Sequence, residues 1–345
     1  CVDYVVSWDD GSQFVSKCLE IIEPDIFAKG GDRSKPEDVP EYQICKKIGC
    51  EIVFNVGGGK NAIKMEINSD GLRDDEIVLA TPDEVRFVVL GASTVVGAYA
   101  QSNERTFSSL LQKDLNERIK DKNINVINAG IEGHSLSDTK KLVDGLIGKM
   151  SADYAILYPG FNDITLLCKA MNKTKERNRF PYFGLPNWLL SKDMIRKNTV
   201  KLREQDIAKV GLLDPNSVNS KDYEERILEI VKSLRQQQST PILTTVSRAY
   251  FNVDKALQSQ LAQSSLYFYY CLDLEGILFI SELYNEAIRR VAQENNIMLI
   301  DLAKNMPGGR EYFVDGGHFT YKGEQFVAQE LSKALFDSLL KEEEK

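Results

Sequence analysis

RFVVLGASTVVG, residues 86–97, joins a run of apolar residues to a short turn that carries Ser93. A continuous apolar run is typical of a parallel strand that is buried on both faces. Beyond the turn, apolar side chains recur every four residues between Phe107 and Ile119, which predicts a helix. The stretch therefore predicts a strand, a tight turn and a helix, with the hydroxyl of Ser93 presented on the turn.

Apolar runs and helical patterns keep alternating toward the carboxyl terminus. Further strands are predicted at 125–128, 154–158, 242–246 and 297–302, and further helices at 137–150, 222–236, 281–295 and 327–339. Five strands, each followed by a helix, predict a three-layer α/β/α domain with a mainly parallel five-stranded sheet. We assign this domain to residues 84–345.

The amino-terminal residues 1–60 repeat the pattern on a smaller scale. Strands are predicted at 2–6, 25–29 and 51–56, with a helix between each pair, which is a half-Rossmann βαβαβ segment. A segment of this length buries too little apolar surface to be stable alone. Residues 61–83 break the pattern with glycine, aspartate and proline, so we expect them to link the two parts.

Composition excludes several functional classes. The 345 residues include 43 Lys and Arg against 51 Asp and Glu, a net charge of −8. This acidic balance argues against nucleic acid or an anionic membrane as a partner, because both require clustered positive charge. No apolar stretch reaches eighteen residues, so no transmembrane helix is predicted.

Cysteine and histidine are scarce. Six cysteines without a C-x-x-C spacing, together with two histidines, argue against a disulfide scaffold and a Cys/His zinc site. We therefore predict no metal and no organic cofactor. The first residue is Cys1 rather than Met, so we expect an incomplete amino terminus. Localisation, cytoplasmic or exported, and oligomeric state stay open.

Five candidate site residues follow the predicted strands or precede the last helix. Ser93 follows the first strand of the larger domain, Gly133 lies in the loop after the second, and Asn162 follows the third. Asp315 and His318 come just before the last helix. Because parallel strands end at one edge of the sheet, where active sites of α/β proteins lie, we expect these residues to meet there.

These residue types suit nucleophilic catalysis. A serine hydroxyl needs an adjacent base, and imidazole serves as one near neutral pH. Asp315, three residues before His318, is close enough to fix the imidazole tautomer. The backbone N–H groups of Ser93 and Gly133 and the amide of Asn162 are candidate oxyanion-hole donors. The predicted catalytic residues are Ser93, Asp315 and His318.

Each candidate also has a structural interpretation. Ser93 could be a helix N-cap, and Asn162 with Asp163 could form a turn after a strand. The segment from Asp315 to His318 could cap the last helix. Asp163 is an alternative carboxylate partner for His318, although the short separation favours Asp315.

Four motifs resemble those of the SGNH, or GDSL-type, hydrolase superfamily. They are G-A-S at 91–93, G at 133, G-F-N-D at 160–163 and D-G-G-H at 315–318. The resemblance covers residues 84–345 and implies a flavodoxin-like fold. It also implies hydrolysis of a small-molecule, carbohydrate or lipid ester or thioester. Ala92 stands where the family has aspartate. An O-acyltransferase that uses the same serine on a carbohydrate is the nearest alternative.

Two further segments resemble known families. INSDGLRDDE, residues 67–76, is similar to a lead-in found in some exported or cell-envelope members, where Arg73 either holds a substrate carboxylate or phosphate or, as we favour, makes a structural salt bridge. Residues 1–60 resemble the carboxyl-terminal half of cytidylyltransferase-like nucleotidyltransferases in three stretches, VDYVV, EPDIFAKGGDR and EIVFNVGGGK. The H-x-G-H motif of that family is absent from this sequence. A cytidylyltransferase-related transferase is therefore the second alternative.

Overall fold

The computed structural model describes residues 15–29, 39–54, 63–160, 162–175 and 212–343. The chain divides into two compact units, Cys1–Lys64 and Met65–Lys345. The strand predicted at 2–6 lies outside the described residues. The assignment of residues 1–60, 61–83 and 84–345 to a segment, a linker and a domain stays a prediction.

The described part of the first unit is a small parallel sheet with two helices. Its elements are α1 (Ser16–Ile22), β1 (Ile26–Lys29), α2 (Tyr42–Ile48) and β2 (Glu51–Phe54). Ile26 of β1 pairs with Glu51 of β2 in parallel register. Leu19, Cys45 and Cys50 are the buried apolar residues around which the unit packs. The half-Rossmann interpretation of this segment stays a prediction.

The second unit is built on a five-stranded, fully parallel sheet. Its strands are β3 (Glu84–Gly91), β4 (Asn123–Gly130), β5 (Tyr154–Tyr158), β6 (Thr240–Thr244) and β7 (Met298–Ile300). The spatial order is β4-β3-β5-β6-β7, so β4 lies on one side of β3 and the three later strands are added on the other side. This order is flavodoxin-like and puts the topological switch point between β3 and β5. The predicted α/β/α fold is confirmed.

Helices cover both faces of this sheet. They are α3 (Ser93–Val96), α4 (Phe107–Arg118), α5 (Leu136–Leu142), α6 (Gly148–Met150), α7 (Asn162–Lys175), α8 (Lys221–Gln236), α9 (Lys255–Leu261), α10 (Gln263–Phe268), α11 (Leu274–Glu294), α12 (Leu302–Asn305) and α13 (Tyr321–Glu343). α4 and α13 pack together in one layer, whereas α5, α8 and α11 pack together in the other. Within the described ranges, no helix is long and apolar enough to cross a membrane.

The core of the second unit follows directly from the apolar run that opens its sheet. Phe87, Val88, Val89 and Leu90 are consecutive and have no exposed surface. Successive side chains of a strand point to opposite faces, so β3 must be covered by helices on both sides. The strand therefore anchors the turn that follows it, which carries Ser93.

A disulfide bond joins Cys168 of α7 to Cys271, just before α11. The two cysteines are 103 residues apart in sequence, with a Cα–Cα distance of 5.3 Å. The sequence alone does not reveal this pair, because a pairing at this separation has no local signature. The bond ties the helix that begins at Asn162 to the segment around Phe268.

Candidate active site

Ser93, His318 and Asp315 form a hydrogen-bonded chain of side chains. The Oγ of Ser93 lies 2.8 Å from Nε2 of His318. Nδ1 of His318 lies 2.8 Å and 3.0 Å from the two carboxylate oxygens of Asp315. The side chains of His318 and Asp315 are each 22% exposed, so both are partly open to solvent. A hydroxyl paired with an imidazole that a carboxylate orients has the geometry of an activated nucleophile.

The turn after β3 presents Ser93 because two glycines allow the backbone to pass closely. A Cβ on Gly91 would lie 2.5 Å from the carbonyl oxygen of Tyr158, and one on Gly160 would lie 2.6 Å from Cβ of Ala92. Neither distance is possible for a larger residue without a shift of the backbone. The ends of β3 and β5 can therefore approach each other, which brings their loops to one point.

The N-cap interpretation of Ser93 does not describe this turn. Ala92 occupies the N-cap position of α3, and Ser93 is the first residue of the helix. The carbonyl of Ala92 accepts from the N–H groups of Val95 and Val96, at 2.9 Å and 3.0 Å. Backbone bonds hold the turn, so the Ser93 hydroxyl is left to bond to His318.

The loop before α13 fixes Asp315 and His318 against each other. One carboxylate oxygen of Asp315 accepts from the backbone N–H groups of Gly317 and His318, both at 2.9 Å. Burial is the strongest influence on the pKa of Asp315 and acts to raise it. The hydrogen bond and charge of His318, with the two backbone donors, outweigh burial and lower that pKa below its usual value. Asp315 is therefore held as a carboxylate.

Asp163, the alternative partner of His318, is engaged elsewhere. Its carboxylate accepts from the N–H of Leu136 at 3.0 Å and pairs with Arg226 at 3.3 Å. Burial raises the pKa of Asp163 above its usual value, although these two contacts act against the rise. Asp163 thus joins the start of α5 to α7, and Asp315 is the carboxylate that contacts His318.

The three candidate oxyanion-hole residues line the same cavity as His318. This cavity, of about 480 Å³, is bordered by Ser93, Gly133 and Asn162. Gly133 has a φ of +76°, a conformation that favours glycine. The side-chain amide of Asn162 donates to the carbonyl of His134 at 2.9 Å, which fixes its orientation. All five predicted site residues meet at one cavity.

Aromatic side chains complete the walls of the site. The ring of Tyr99 meets the His318 ring edge-on, with 5.4 Å between centroids. Phe268 is 46% exposed and borders the cavity together with Tyr269. Burial, with the charges of Asp315 and Glu132, raises the pKa of Tyr99. Tyr99 therefore faces the reacting groups as a neutral phenol.

Arg73 does not hold a substrate anion, because its guanidinium is buried behind the turn of Ser93. It is 2% exposed and donates to the carbonyls of Val96 and Ala100, at 3.1 Å and 2.9 Å. It also donates to the side chain of Asn103 at 2.9 Å. The substrate-ligand interpretation of Arg73 is wrong: its role is structural, through these contacts to backbone carbonyls and an amide oxygen, and the salt bridge stays a prediction.

Asp74 and Asn128 connect the next loop to this framework. A carboxylate oxygen of Asp74 accepts from the backbone N–H of Asn128 at 2.5 Å. The side-chain amide of Asn128 donates to the carbonyl of Val95 at 2.9 Å, and its oxygen accepts from Gly130 at 3.1 Å. The lead-in at 67–76 thus supports the loops of Ser93 and Gly133 from behind.

No group of His, Cys, Asp and Glu side chains in the described ranges has the arrangement of a metal site.

Comparison with known proteins gives one family. The model of the GDSL-like Lipase/Acylhydrolase family matches residues 89–326. No curated protein matches the sequence significantly. Similar solved structures include the acetyl xylan esterase AlAXEase, 18% identical, with a TM-score of 0.45 and coverage of 72% of this chain and 99% of that chain.

Two further solved structures have comparable similarity. The lipase/acylhydrolase from Enterococcus faecalis is 17% identical, with a TM-score of 0.45 and coverage of 72% of this chain and 94% of that one. Axe2, an acetylxylan esterase from Geobacillus stearothermophilus, is 13% identical, with a TM-score of 0.45 and coverage of 74% and 94%.

Proposed function

The chain belongs to the GDSL-like lipase/acylhydrolase family and is a hydrolase, and we propose that it cleaves carboxylic esters or thioesters through an acyl-enzyme on Ser93. The observation that carries this proposal is the unbroken chain from the Ser93 hydroxyl through His318 to Asp315. A serine used only for structure needs neither an imidazole at 2.8 Å nor a carboxylate behind it.

The first half of the reaction forms the acyl-enzyme. Nε2 of His318 takes the proton of Ser93 as Oγ bonds to the ester carbonyl carbon. The carbonyl oxygen becomes an oxyanion, which accepts hydrogen bonds from the N–H groups of Ser93 and Gly133 and from Asn162. Nε2 then gives the proton to the leaving oxygen or sulfur, and the bond between it and the acyl carbon breaks.

The second half of the reaction releases the acid. His318 takes a proton from water, whose oxygen bonds to the acyl carbon. The bond to Ser93 Oγ then breaks, and the proton returns from His318 to that oxygen. Asp315 stabilises the imidazolium cation in both halves, as its position against Nδ1 allows.

Labelling with a fluorophosphonate tests the nucleophile. We expect one covalent adduct, found by mass spectrometry on Ser93, and loss of both the adduct and 4-nitrophenyl acetate turnover in Ser93→Ala. Ser217→Ala is the matched control, since this serine is exposed and lies outside the cavity. Undiminished turnover in Ser93→Ala, or an adduct on another residue, would end the proposal.

Two alternatives have their own readouts. An O-acyltransferase predicts an acylated sugar as the main product when a carbohydrate is added to the ester assay, whereas a hydrolase predicts the free acid. The nucleotidyltransferase-like resemblance of residues 1–60 stays a prediction, which an assay for CTP-dependent pyrophosphate release tests.

A further inference from the structure

A second cavity adjoins the first at His318. It has a volume of about 330 Å³ and shares the side chains of Tyr99, Phe268 and His318 with the larger one. Ser93, Gly133 and Asn162 are not among the described residues that line it. An ester seated on Ser93 therefore meets two compartments, one with the oxyanion donors and one without them.

The chemistry of the proposed reaction assigns the smaller compartment to the leaving group. The carbonyl oxygen must point to the N–H donors of the larger cavity. Nε2 of His318 must come within hydrogen-bond reach of the leaving oxygen to protonate it. His318 lines both cavities, so the smaller one, which lacks the oxyanion donors, is the compartment left for the alcohol portion when the carbonyl occupies the larger.

Arg310 brings a guanidinium to this compartment, in which the carboxylate of Asp315, also a lining residue, is already hydrogen-bonded to His318. Its side chain lines the cavity together with those of Gln260 and Gln263. In the ranges that the structure describes, no hydrogen bond or ion pair joins Arg310 to another residue. The neighbouring carboxylate of Glu311 is paired with Lys322, so it does not neutralise the guanidinium.

The backbone that carries Arg310 is held in place. A Cβ on Gly308 would lie 2.0 Å from the carbonyl oxygen of Phe251, so the chain passes directly against the loop after β6. The N–H of Gly309 donates to the carbonyl of Ala249 at 2.7 Å, and Gly309 has a φ of +91°. Arg310 therefore extends from a fixed point five residues before Asp315.

We propose that the Arg310 cavity binds an anionic group, a phosphate or a carboxylate, on the alcohol portion of the ester. This inference rests on the proposed function and names its substrate class. A guanidinium donates two parallel hydrogen bonds to either anion, and the two glutamine amides offer further donors. The protein as a whole carries a charge of −8, so an acidic substrate needs such a local positive charge.

The test compares three acetyl esters of small alcohols that differ in the terminal group of the alcohol, which is a phosphate, a carboxylate or a neutral hydroxyl. Their alcohols are 2-hydroxyethyl phosphate, 3-hydroxypropanoate and neutral ethylene glycol. We expect Arg310→Ala to lower kcat/KM for one or both charged esters by about fivefold to tenfold, as for the loss of a partly exposed ion pair, and to change the neutral ester less than twofold. Which charged ester loses more identifies the anion.

Charge reversal sharpens the comparison. We expect Arg310→Glu to lower kcat/KM for the charged esters further, and Arg310→Lys to restore part of it. Arg235→Ala is the matched control, because it removes one positive charge from the end of α8, outside both cavities. The inference would be overturned if Arg310→Ala lowered kcat/KM equally for the charged and the neutral esters. It would also be overturned if Arg235→Ala lowered kcat/KM for the charged esters as much as Arg310→Ala does.

A binding measurement separates this inference from the proposed function. Calorimetric titration of Ser93→Ala with the charged and neutral esters reports the role of Arg310 without turnover. We expect tighter binding of a charged ester, lost in the Ser93→Ala, Arg310→Ala double variant. If the enzyme turns over no ester but this difference is seen, the proposed function fails alone. If turnover depends on Ser93 but the esters bind equally, only the inference fails.

Discussion

The buried carboxyl group of Glu324 makes the free energy of unfolding depend on pH, and this dependence can be tested directly. Glu324 lies in α13, is 1% exposed, and accepts from the backbone N–H of Phe107 at 2.8 Å. Burial raises the pKa of Glu324 from 4.5 to about 8, although the Phe107 bond and the charge of Arg73 act to lower it. The folded protein therefore keeps this group protonated at neutral pH.

The raised pKa makes stability fall as pH rises. Below pH 4.5 the group is protonated in both the folded and the unfolded state, so it has no effect. Between 4.5 and about 8 only the unfolded state loses the proton, which lowers the free energy of unfolding by about 1.4 kcal/mol per pH unit. The total over this interval is roughly 5 kcal/mol.

Glu324→Gln removes the titration while keeping the shape of the neutral acid. Its carbonyl oxygen can still accept from the N–H of Phe107. We expect the free energy of unfolding of the variant, relative to the unmodified protein, to increase steadily from pH 5 to pH 8. Urea unfolding at one-unit steps of pH measures this difference.

Glu229→Gln serves as the control for charge, because Glu229 is exposed on α8. We expect its effect on the free energy of unfolding to change little over the same interval. A difference between Glu324→Gln and the unmodified protein that stays constant from pH 5 to pH 8 would refute the reasoning. So would an unmodified protein whose stability rises with pH more steeply than that of the variant.

Two further predictions concern the side chain of Asn162 and the disulfide bond. Asn162→Ala should lower kcat for 4-nitrophenyl acetate by about 10² to 10³ with little change in KM, as for the loss of one oxyanion donor; a decrease below about threefold would assign Asn162 to structure. Replacing Cys168 and Cys271 by serine should lower the free energy of unfolding by about 2 to 5 kcal/mol, because a long loop is no longer closed in the unfolded chain. Urea unfolding with and without a reducing agent measures this loss, and a reductant that leaves the unmodified protein's stability unchanged would contradict it.

The strands of the second unit were predictable because runs of consecutive apolar residues indicate buried strands. β5 has the predicted bounds, Tyr154–Tyr158, and β3 exceeds the predicted run at 86–90 by two residues at one end and one at the other. The order of the motifs also placed Ser93, Asn162 and His318 at strand ends or before the last helix. Local patterns were sufficient for these features, since each is decided within a few residues.

The boundaries that differed have local causes that apolar periodicity does not reveal. The strand predicted at 297–302 ends at Ile300, because Asp301 caps α12 through the N–H of Lys304. The helix predicted from 281 begins at Leu274, where Asp273 accepts from the N–H of Gly276. Polar caps decided these ends, whereas the prediction followed apolar side chains.

The walls of the site could be predicted only in part, because they come from distant segments. Tyr99, Phe268 and Arg310 are far apart in the sequence, and none belongs to a recognisable motif. They meet only because the sheet order brings the loops after β3 and β6 to the same edge as the loop before α13. The residues that line the cavities thus depend on the tertiary structure, whereas the proposed catalytic residues are visible in the sequence.

The replacement of the family's aspartate by Ala92 shows which part of the turn is essential. The Ala92 side chain is 3% exposed and lies against Gly160, and its carbonyl accepts the first hydrogen bonds of α3. Neither contact needs a carboxylate. A Cβ on Gly160 would lie 2.6 Å from Cβ of Ala92, so glycine at position 160 is what lets the two loops approach each other. The close contact of Gly160 with Ala92 therefore packs the loop of Asn162 directly against the turn that carries Ser93.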